Sequence, residues 1–150
     1  MPENTARLKT LSLAALLLMV VAVLGLLATN SLLARTRAGI AVQVAALLLM
    51  VWARLTFGRR SFHASADPTP GGLVTTGPYR FIRHPIYTAA CVFIWAGVLS
   101  NWSVLAASLG VLLLVGAIVR MLCEERLVVA AYPEYRDYAR TTKRMVPYVF

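Results

Sequence analysis

The stretch Gly77–Tyr87, with the sequence GPYRFIRHPIY, is the most polar and cationic part of a largely apolar chain. Pro85 is tolerated in the first turn of a helix, because the N–H at that position has no intrahelical partner. Arg83 and His84 are therefore expected at the mouth of a helix whose body begins near Ile86. A helix N-terminus offers free N–H groups and partial positive charge, so this stretch predicts a site for a carboxylate or a phosphate.

A second polar pair, Glu124 and Glu125, accounts for two of the six acidic residues and follows a long apolar run. Carboxylates at such a position are unfavourable unless they are exposed or paired. One interpretation is a solvated helix end, with Arg120 pairing to Glu124 four residues on. The other is a binding site that includes Arg83. Taken by itself, the pair favours the first interpretation.

The six tyrosines all lie at or after position 79. An aromatic belt at one membrane interface explains Tyr132 and Tyr148. Tyr87 falls in the first turn of the helix after Pro85 and is expected to form a wall of a binding pocket. Tyr135 and Tyr138 lie three residues apart and share a helix face, where they serve either packing or binding.

The stretch GPYRFIRHPIY, followed by Glu124-Glu125 and then by Tyr135 and Tyr138, resembles the isoprenylcysteine carboxyl methyltransferase family. That family belongs to a wider group of small membrane methyltransferases that includes the phospholipid N-methyltransferases. The resemblance covers residues 72–147 and departs at Ala89, where the family usually has glycine. It implies S-adenosylmethionine as cofactor and a lipophilic substrate that enters sideways from the bilayer. At this spacing, the glutamates are expected to belong to the site.

The resemblance also implies roles for individual residues. Arg120 and Glu124 are the expected catalytic residues. Methyl transfer from a sulfonium needs positioning and exclusion of water more than acid–base chemistry, so His84 is expected to bind rather than to act as a base. We expect the site to offer a cation for the carboxylate of the cofactor and an anion for its ammonium group or its ribose hydroxyls. Aromatic rings are expected near the sulfonium or the adenine. No metal is expected. The expected cofactor-binding residues are Tyr79, Arg83, His84, Tyr87, Glu124, Glu125, Tyr135 and Tyr138.

Several functions stay open at this point. The first is methylation of a lipophilic substrate, resembling carboxyl O-methylation of a prenylated cysteine, and its nearest alternative is phospholipid N-methylation. An NADPH-dependent reductase is another, because the membrane steroid reductases carry a similar arginine–histidine–proline–tyrosine segment. A non-catalytic membrane protein of the same fold is the last. The segment GGLVTTG lacks the glycine fingerprint of a dinucleotide-binding fold, so any cofactor is expected in a helical membrane site.

The elements that position these residues must be membrane helices. Hydrophobic residues make up 59% of the chain, charged residues make up 14%, and the mean hydropathy is +0.71. A soluble domain of 150 residues could not bury that much apolar surface. We therefore expect one all-α integral membrane domain over residues 1–150. The net charge of +9 suits contact with anionic headgroups rather than with nucleic acid.

Four apolar runs predict about four transmembrane helices, and the first is expected to be retained rather than cleaved as a signal peptide. The third run is short for a full crossing, so the hairpin of the third and fourth runs either spans the bilayer or stops short of its far side. The fourth is expected to continue past Arg120 to about Ala131, followed by a cytoplasmic helical tail that starts at Pro133 and folds back over the site. Gln43, in the second run, either bonds across helices or simply faces its neighbours, and the latter is the expectation. The runs cover residues 11–28, 39–53, 86–99 and 103–119.

The distribution of positive charge predicts the orientation. All lysines and arginines except Arg35 and Arg37 fall on the side that holds both termini and the stretch Gly77–Tyr87. The positive-inside rule places that side in the cytoplasm. The expected location is a bacterial inner membrane, with a cytoplasmic active site. Between the second and third runs, residues 54–64 are expected to lie along the membrane interface and residues 67–72 to form a turn.

Overall fold

The computed structural model of the chain describes residues 2–58, 72–147 and 150, and for residues 2 and 3 the backbone alone. Most of the expected interfacial segment and turn, as well as Tyr148, lie outside these residues. The described parts contain a single-turn 3₁₀ helix at Gly77–Arg80 and no strand beyond one isolated bridge between Ile82 and Lys143. The all-α fold is therefore confirmed. Its helices are α1 (Pro2–Ala28), α2 (Arg37–Phe57), α3 (Pro85–Ser100), α4 (Val104–Ala131) and α5 (Tyr135–Thr141).

The lengths of the helices suit a polytopic membrane protein. Within the described residues, α1, α2 and α4 are long and apolar enough to cross a membrane. The fourth apolar helix, α3, has 16 residues and a length of about 24 Å. Large apolar side chains such as Leu17, Val21 and Leu48 face outward, as lipid-facing residues do.

Three helices have boundaries that differ from the sequence expectations. α1 begins at Pro2 rather than Leu11, because no breaker separates its polar start from the apolar run. α2 begins before Gly39, where the Thr36 hydroxyl caps the Gly39 N–H, and continues to Phe57. α5 begins at Tyr135 rather than Pro133, because residues 133 and 134 form a turn. α4 ends at Ala131 as predicted.

Helix α4 lies at the centre of the bundle, packed along α1 and against α3, and α2 packs on α3. Its central position depends on small residues. A Cβ atom added at Gly116 would lie 2.7 Å from Met19 Cγ and 3.0 Å from the Ala15 carbonyl oxygen, so α1 could not approach a larger residue this closely. Cys91 and Cys123 are buried, and both are free thiols.

The loop between α1 and α2 is tied to the turn between α3 and α4. Gln43 is buried and accepts a hydrogen bond from the Ala34 N–H at 3.0 Å. Its Nε2 donates to the carbonyl oxygens of Leu32 at 2.8 Å and Phe93 at 3.1 Å. The expectation that Gln43 simply faces its neighbours is wrong, because its side chain hydrogen-bonds both to the loop and to α3. Ser100 Oγ also accepts hydrogen bonds from two loop amides, so both connections lie at one end of the bundle.

This arrangement predicts a topology that reporter fusions can test. A reporter placed after Arg35 lies at the end of the bundle that holds both connections, whereas the C-terminal segment bonds to residues 83 and 84 at the other end. We expect alkaline phosphatase fused after Arg35 to be active outside the cytoplasm and the same enzyme fused at the C-terminus to be inactive. If both fusions report the same side, the four-helix topology is contradicted.

Candidate functional site

The residues predicted for the site converge at the end of the bundle where α3 begins. His84 is the N-cap of α3 and Pro85 is its first residue, as the sequence predicted. The antiparallel pairing of α3 and α4 brings residues 124 and 125 beside them. The side chains form two clusters, which adjoin through the neighbouring glutamates, Glu124 and Glu125.

The first cluster joins Tyr87, Arg120 and Glu124. Tyr87 Oη donates to Glu124 Oε1 at 2.7 Å and accepts from Arg120 Nε at 2.7 Å. Arg120 also pairs with Glu124 at 3.1 Å, which confirms the pairing four residues apart that the sequence suggested. Arg120 is 5% exposed, and its Nη1 donates to the Ser12 carbonyl oxygen on α1 at 3.4 Å. Glu124 is the more open member of the ion pair, with 24% of its side chain exposed.

The second cluster surrounds Glu125. Its Oε1 accepts from Arg83 Nε at 2.9 Å and lies 3.3 Å from His84 Nε2. Tyr135 Oη donates to the same oxygen at 3.4 Å, and Arg144 Nε donates to Oε2 at 3.0 Å. A carboxylate that is 12% exposed needs such partners, because burying an unpaired charge is costly. Several basic groups around one carboxylate leave excess positive charge, which suits a further anionic group.

The C-terminal segment is bound to the mouth of α3 largely through the backbone. Arg83 Nη1 donates to the carbonyl oxygens of Ala139 and Thr142. The backbone N–H groups of Arg83 and His84 donate to the carbonyl oxygens of residues 143 and 144 at 2.7 and 2.9 Å. Among the described residues, Arg83 Nη2 has no hydrogen-bond partner. The guanidinium thus holds the tail in place and keeps a donor for another group.

The tyrosines of the tail contact the 3₁₀ turn before α3. Tyr138 Oη donates to the Tyr79 carbonyl oxygen at 2.5 Å, and the Tyr79 ring packs against Phe57 with a centroid distance of 5.4 Å. Tyr135 and Tyr138 meet edge to face at 5.7 Å. Burial raises the pKa of Tyr138 to about 12 and raises the pKa of Tyr79 and Tyr135 further still. All three phenols therefore remain hydrogen-bond donors at neutral pH.

All the predicted site residues lie at this end of the bundle, and their roles remain predictions. Three participants were not predicted as site residues: Ser12, Thr142 and Arg144. Ser12 is the only hydroxyl residue in the run 11–28, and that signal could have identified it. Arg144 belongs to the tail that is expected to fold back over the site, but the sequence gives no signal for its pairing with Glu125 or for the contact of Thr142 with Arg83. His63, which from its position in the loop after α2 is expected to take no part in the site, lies outside the described residues.

The arrangement suits binding of a zwitterionic group better than hydrolysis. It offers donors from Arg83 and Arg144 beside an accessible carboxylate, Glu124. Each buried charge already has a partner, so the site is organised without a ligand. Among residues 2–58, 72–147 and 150, no group of three or more His, Cys, Asp and Glu side chains is arranged to hold a metal ion.

The sequence of the chain matches one known family. A sequence model described as phospholipid methyltransferase matches residues 34–135. The match includes α2, α3, α4 and Tyr135, so it covers every predicted site residue except Tyr138. It begins earlier than the resemblance at residues 72–147 and leaves α1 outside. No solved structure matches the chain significantly.

Two curated relatives resemble half of the chain. The nickel-cobalt-cadmium resistance protein NccN of Alcaligenes xylosoxydans xylosoxydans is 38% identical over 78 residues, which is 50% of this chain and 36% of that protein. The cobalt-zinc-cadmium resistance protein CzcN of Cupriavidus metallidurans is 35% identical over 78 residues, which is 50% of this chain and 35% of that protein. The chain thus matches about a third of the length of these relatives.

Removing the Glu125 carboxylate should release the tail. Glu125→Ala leaves Arg83 and Arg144 without their shared partner, and losing one member of a buried ionic group costs about 3–5 kcal/mol. We expect trypsin to cleave after Lys143 or Arg144 much faster in this variant. Glu134→Ala, which removes an exposed carboxylate near the tail, is the matched control and should leave the cleavage rate unchanged. Equal cleavage rates in the two variants would show that Glu125 does not hold the tail.

The hydrogen bond from Tyr138 should fail only at high pH. The folded pKa of about 12 lies above the ordinary value of 10.0. The protonated Tyr138 phenol therefore contributes its full stability at pH values below the ordinary tyrosine pKa. This contribution is lost as the pH rises through the pKa that Tyr138 has in the folded protein. The difference in phenolate absorbance between the parent protein and Tyr138→Phe measures this titration. A midpoint at the ordinary value, instead of the raised one, would show that the phenol is not buried against Tyr79.

Proposed function

The chain belongs to the phospholipid methyltransferase family, and we propose that it transfers a methyl group from S-adenosylmethionine to a lipophilic acceptor in the membrane. The family supports a membrane methyltransferase, and the helices support an integral membrane protein. The cofactor, the acceptor and the residue roles are the proposal. The main support for this proposal is the cluster of basic side chains around Glu125, which lies beside the accessible carboxylate of Glu124.

The donor set fits the polar tail of this cofactor. Arg83 Nη2, which has no partner among the described residues, and Arg144, whose side chain is 35% exposed, are suited to a carboxylate. Glu124 is suited to an ammonium group or to ribose hydroxyls. Tyr79, Tyr87, Tyr135 and Tyr138 provide aromatic surface for the sulfonium or the adenine. We propose that His84 and Glu125 complete the pocket by fixing Arg83 and Arg144.

Methyl transfer from a sulfonium requires the protein mainly to align the methyl donor with the acceptor. S-adenosylmethionine supplies a methyl group that its sulfonium charge already activates. Arg120 and Tyr87 hold the Glu124 carboxylate in one orientation, and we propose that Arg120 and Glu124 align the acceptor for the transfer. The docked tail covers the mouth of α3 and limits access of water, which strengthens the charged contacts.

The family assignment also bears on the acceptor. It supports phospholipid N-methylation more directly than carboxyl O-methylation of a prenylated cysteine, and it gives no support to an NADPH-dependent reductase. Glu124 is compatible with an amine acceptor, since its carboxylate can take the proton that an ammonium group must lose before the nitrogen lone pair attacks the methyl group. The metal resistance in the names of the two relatives is not proposed for this chain, because each alignment covers about a third of the relative.

The proposed setting is the cytoplasmic face of a bacterial inner membrane. The end of the bundle that holds the site also holds the N-terminus of α1 and the C-terminal tail, and this end is rich in arginine. The positive-inside rule places such an end in the cytoplasm. The cofactor would reach the site from that side and the acceptor from the bilayer.

Direct titration tests the cofactor. The purified full chain in detergent should bind S-adenosylhomocysteine and should not bind NADPH. Arg83→Ala removes a charge-assisted contact worth about 1.5–3 kcal/mol, so the affinity should fall about ten- to a hundredfold. Arg140→Ala is the matched control, because Arg140 lies on the same tail in an ion pair with 81% of its side chain exposed.

Two results would contradict the proposal. Binding of NADPH without S-adenosylhomocysteine would favour the reductase. An unchanged affinity for S-adenosylhomocysteine in a folded Arg83→Ala protein would remove Arg83 from the cofactor site. Folding is checked by thermal unfolding of both variants in the same detergent.

A further inference from the structure

The C-terminal segment turns toward the bundle after it has bound the mouth of α3. Residues 143 and 144 bond to that mouth through their carbonyl oxygens. The next residue, Met145, is 7% exposed and belongs to the same apolar core cluster as Cys91 of α3. Its carbonyl oxygen accepts from Thr88 Oγ1 at 2.8 Å. The chain therefore runs from the polar mouth of α3 toward the apolar body of that helix, rather than away into water.

Thr88 indicates the depth of this turn in the membrane. It lies inside the third apolar run, residues 86–99, and about 5 Å beyond the start of α3 at Pro85. We call residues 145–150, which have the uncharged sequence MVPYVF, the apolar end of the tail; residues 145–147 and 150 of it are described. At the level where an apolar membrane helix begins, such a segment meets the boundary between headgroups and acyl chains.

The backbone of the apolar end is closed on itself. The Phe150 carbonyl oxygen accepts from the N–H groups of Met145 and Val146 at 2.7 Å each, and the Phe150 N–H donates to the Val146 carbonyl oxygen at 3.1 Å. With the bond from Thr88, every backbone N–H and carbonyl oxygen of Met145, Val146 and Phe150 has a partner. Pro147 has no N–H to satisfy. Lipid cannot supply hydrogen bonds to a backbone, so this closure suits contact with lipid.

Apolar side chains on and beside this segment nevertheless face outward. Val146 is 48% exposed and Phe150 is 42% exposed, and Phe81, just before the mouth of α3, is 48% exposed. The guanidinium of Arg80 lies 5.0 Å from the centre of the Phe81 ring, and that of Arg144 lies 5.4 Å from the centre of the Phe150 ring. Aromatic rings beside cationic side chains are typical of a membrane interface, where one contacts acyl chains and the other the headgroups.

The charges of the tail indicate which headgroups it suits. From residue 133 onward the chain has four basic and two acidic residues. Lys143 is exposed and lies two residues before the apolar end. A basic side chain near an anionic leaflet strengthens the association of its segment about fivefold. The tail is therefore complementary to a membrane surface that contains anionic lipid.

We propose that the apolar end of the tail is anchored in the leaflet on the side of the site, with Val146 and Phe150 among the acyl chains and Lys143 among anionic headgroups. The partner of this surface is the lipid leaflet itself. Anchoring holds residues 143 and 144 at the mouth of α3, so the membrane helps to keep the basic cluster around Glu125 assembled. The inference is independent of the proposed methyl transfer, because it concerns how the tail is held and not what the site binds.

Depth-dependent quenching of fluorescence tests the anchor. Cys91 and Cys123 are replaced by alanine, and a cysteine introduced by Val146→Cys or Asp137→Cys is labelled with nitrobenzoxadiazole. The full chain is placed in nanodiscs of phosphatidylcholine and phosphatidylglycerol. We expect lipid with a nitroxide on its acyl chain to quench the label at position 146 severalfold more strongly than the label at position 137, and iodide in water to show the reverse order. Asp137 is the matched control, because it lies on the same tail with 81% of its side chain exposed.

Two results would overturn the anchor. Equal quenching of the two labels by the nitroxide lipid would place the whole tail in one environment, either in water or flat on the surface. A label at position 146 that is protected from iodide but not quenched by the nitroxide lipid would show that a protein, such as a second copy of the chain, covers this surface. Phe150→Cys repeats the measurement from a second position, so the result does not depend on the folding of one variant.

Proteolysis tests the preference for anionic lipid. Trypsin cleavage after Arg144 releases a peptide that begins at Met145, and its rate follows the population in which the tail is open. Changing nanodiscs of phosphatidylcholine to an equal mixture with phosphatidylglycerol should slow this release in the parent chain. The slowing should be about fivefold smaller in Lys143→Ala. Arg37→Ala, which removes the same charge at the opposite end of the bundle, should behave as the parent chain. Equal slowing in the two variants would overturn the proposed contact of Lys143 with anionic headgroups.

Discussion

A single carboxylate, that of the partly buried Glu125, holds the site together. It accepts hydrogen bonds from Arg83 at the mouth of α3 and from Arg144 in the C-terminal segment, which are 61 residues apart in sequence. Near a membrane surface, none of these charges is stable alone. Each residue of the cluster therefore depends on the others, and the tail stays in place because its release would leave buried charges unpaired.

The membrane helices make this cluster possible. α3 and α4 are antiparallel and joined by a short turn, so the start of α3 and the later part of α4 must lie at the same end. Glycine at position 116 lets α1 approach α4, which brings the Ser12 carbonyl to Arg120. At the opposite end, Gln43 and Ser100 fix the two connections. The helices thus provide a rigid frame, while the charged groups determine what can bind.

Much of this could be predicted from the sequence, because the signals are local. Hydrophobic runs give the helices, Pro85 gives the start of α3, and the four-residue spacing gives the pair of Arg120 and Glu124. The antiparallel hairpin then predicts that Arg83 and Glu125 meet. What the sequence could not give depends on long-range placement: the bonds from Arg83 to the tail, the pairing of Arg144 and the cross-helix role of Gln43.

Removal of the tail is the most direct test of a site composed of the hairpin mouth and the C-terminal segment. The full chain and a chain that ends at Tyr132 are purified from membranes, and their affinities for S-adenosylhomocysteine are compared. We expect the shortened chain still to insert as a helical membrane protein but to lose measurable binding, because Arg144, Tyr135 and Tyr138 are gone. Equal affinity of the two chains would contradict this expectation, because the hairpin alone would then hold the cofactor.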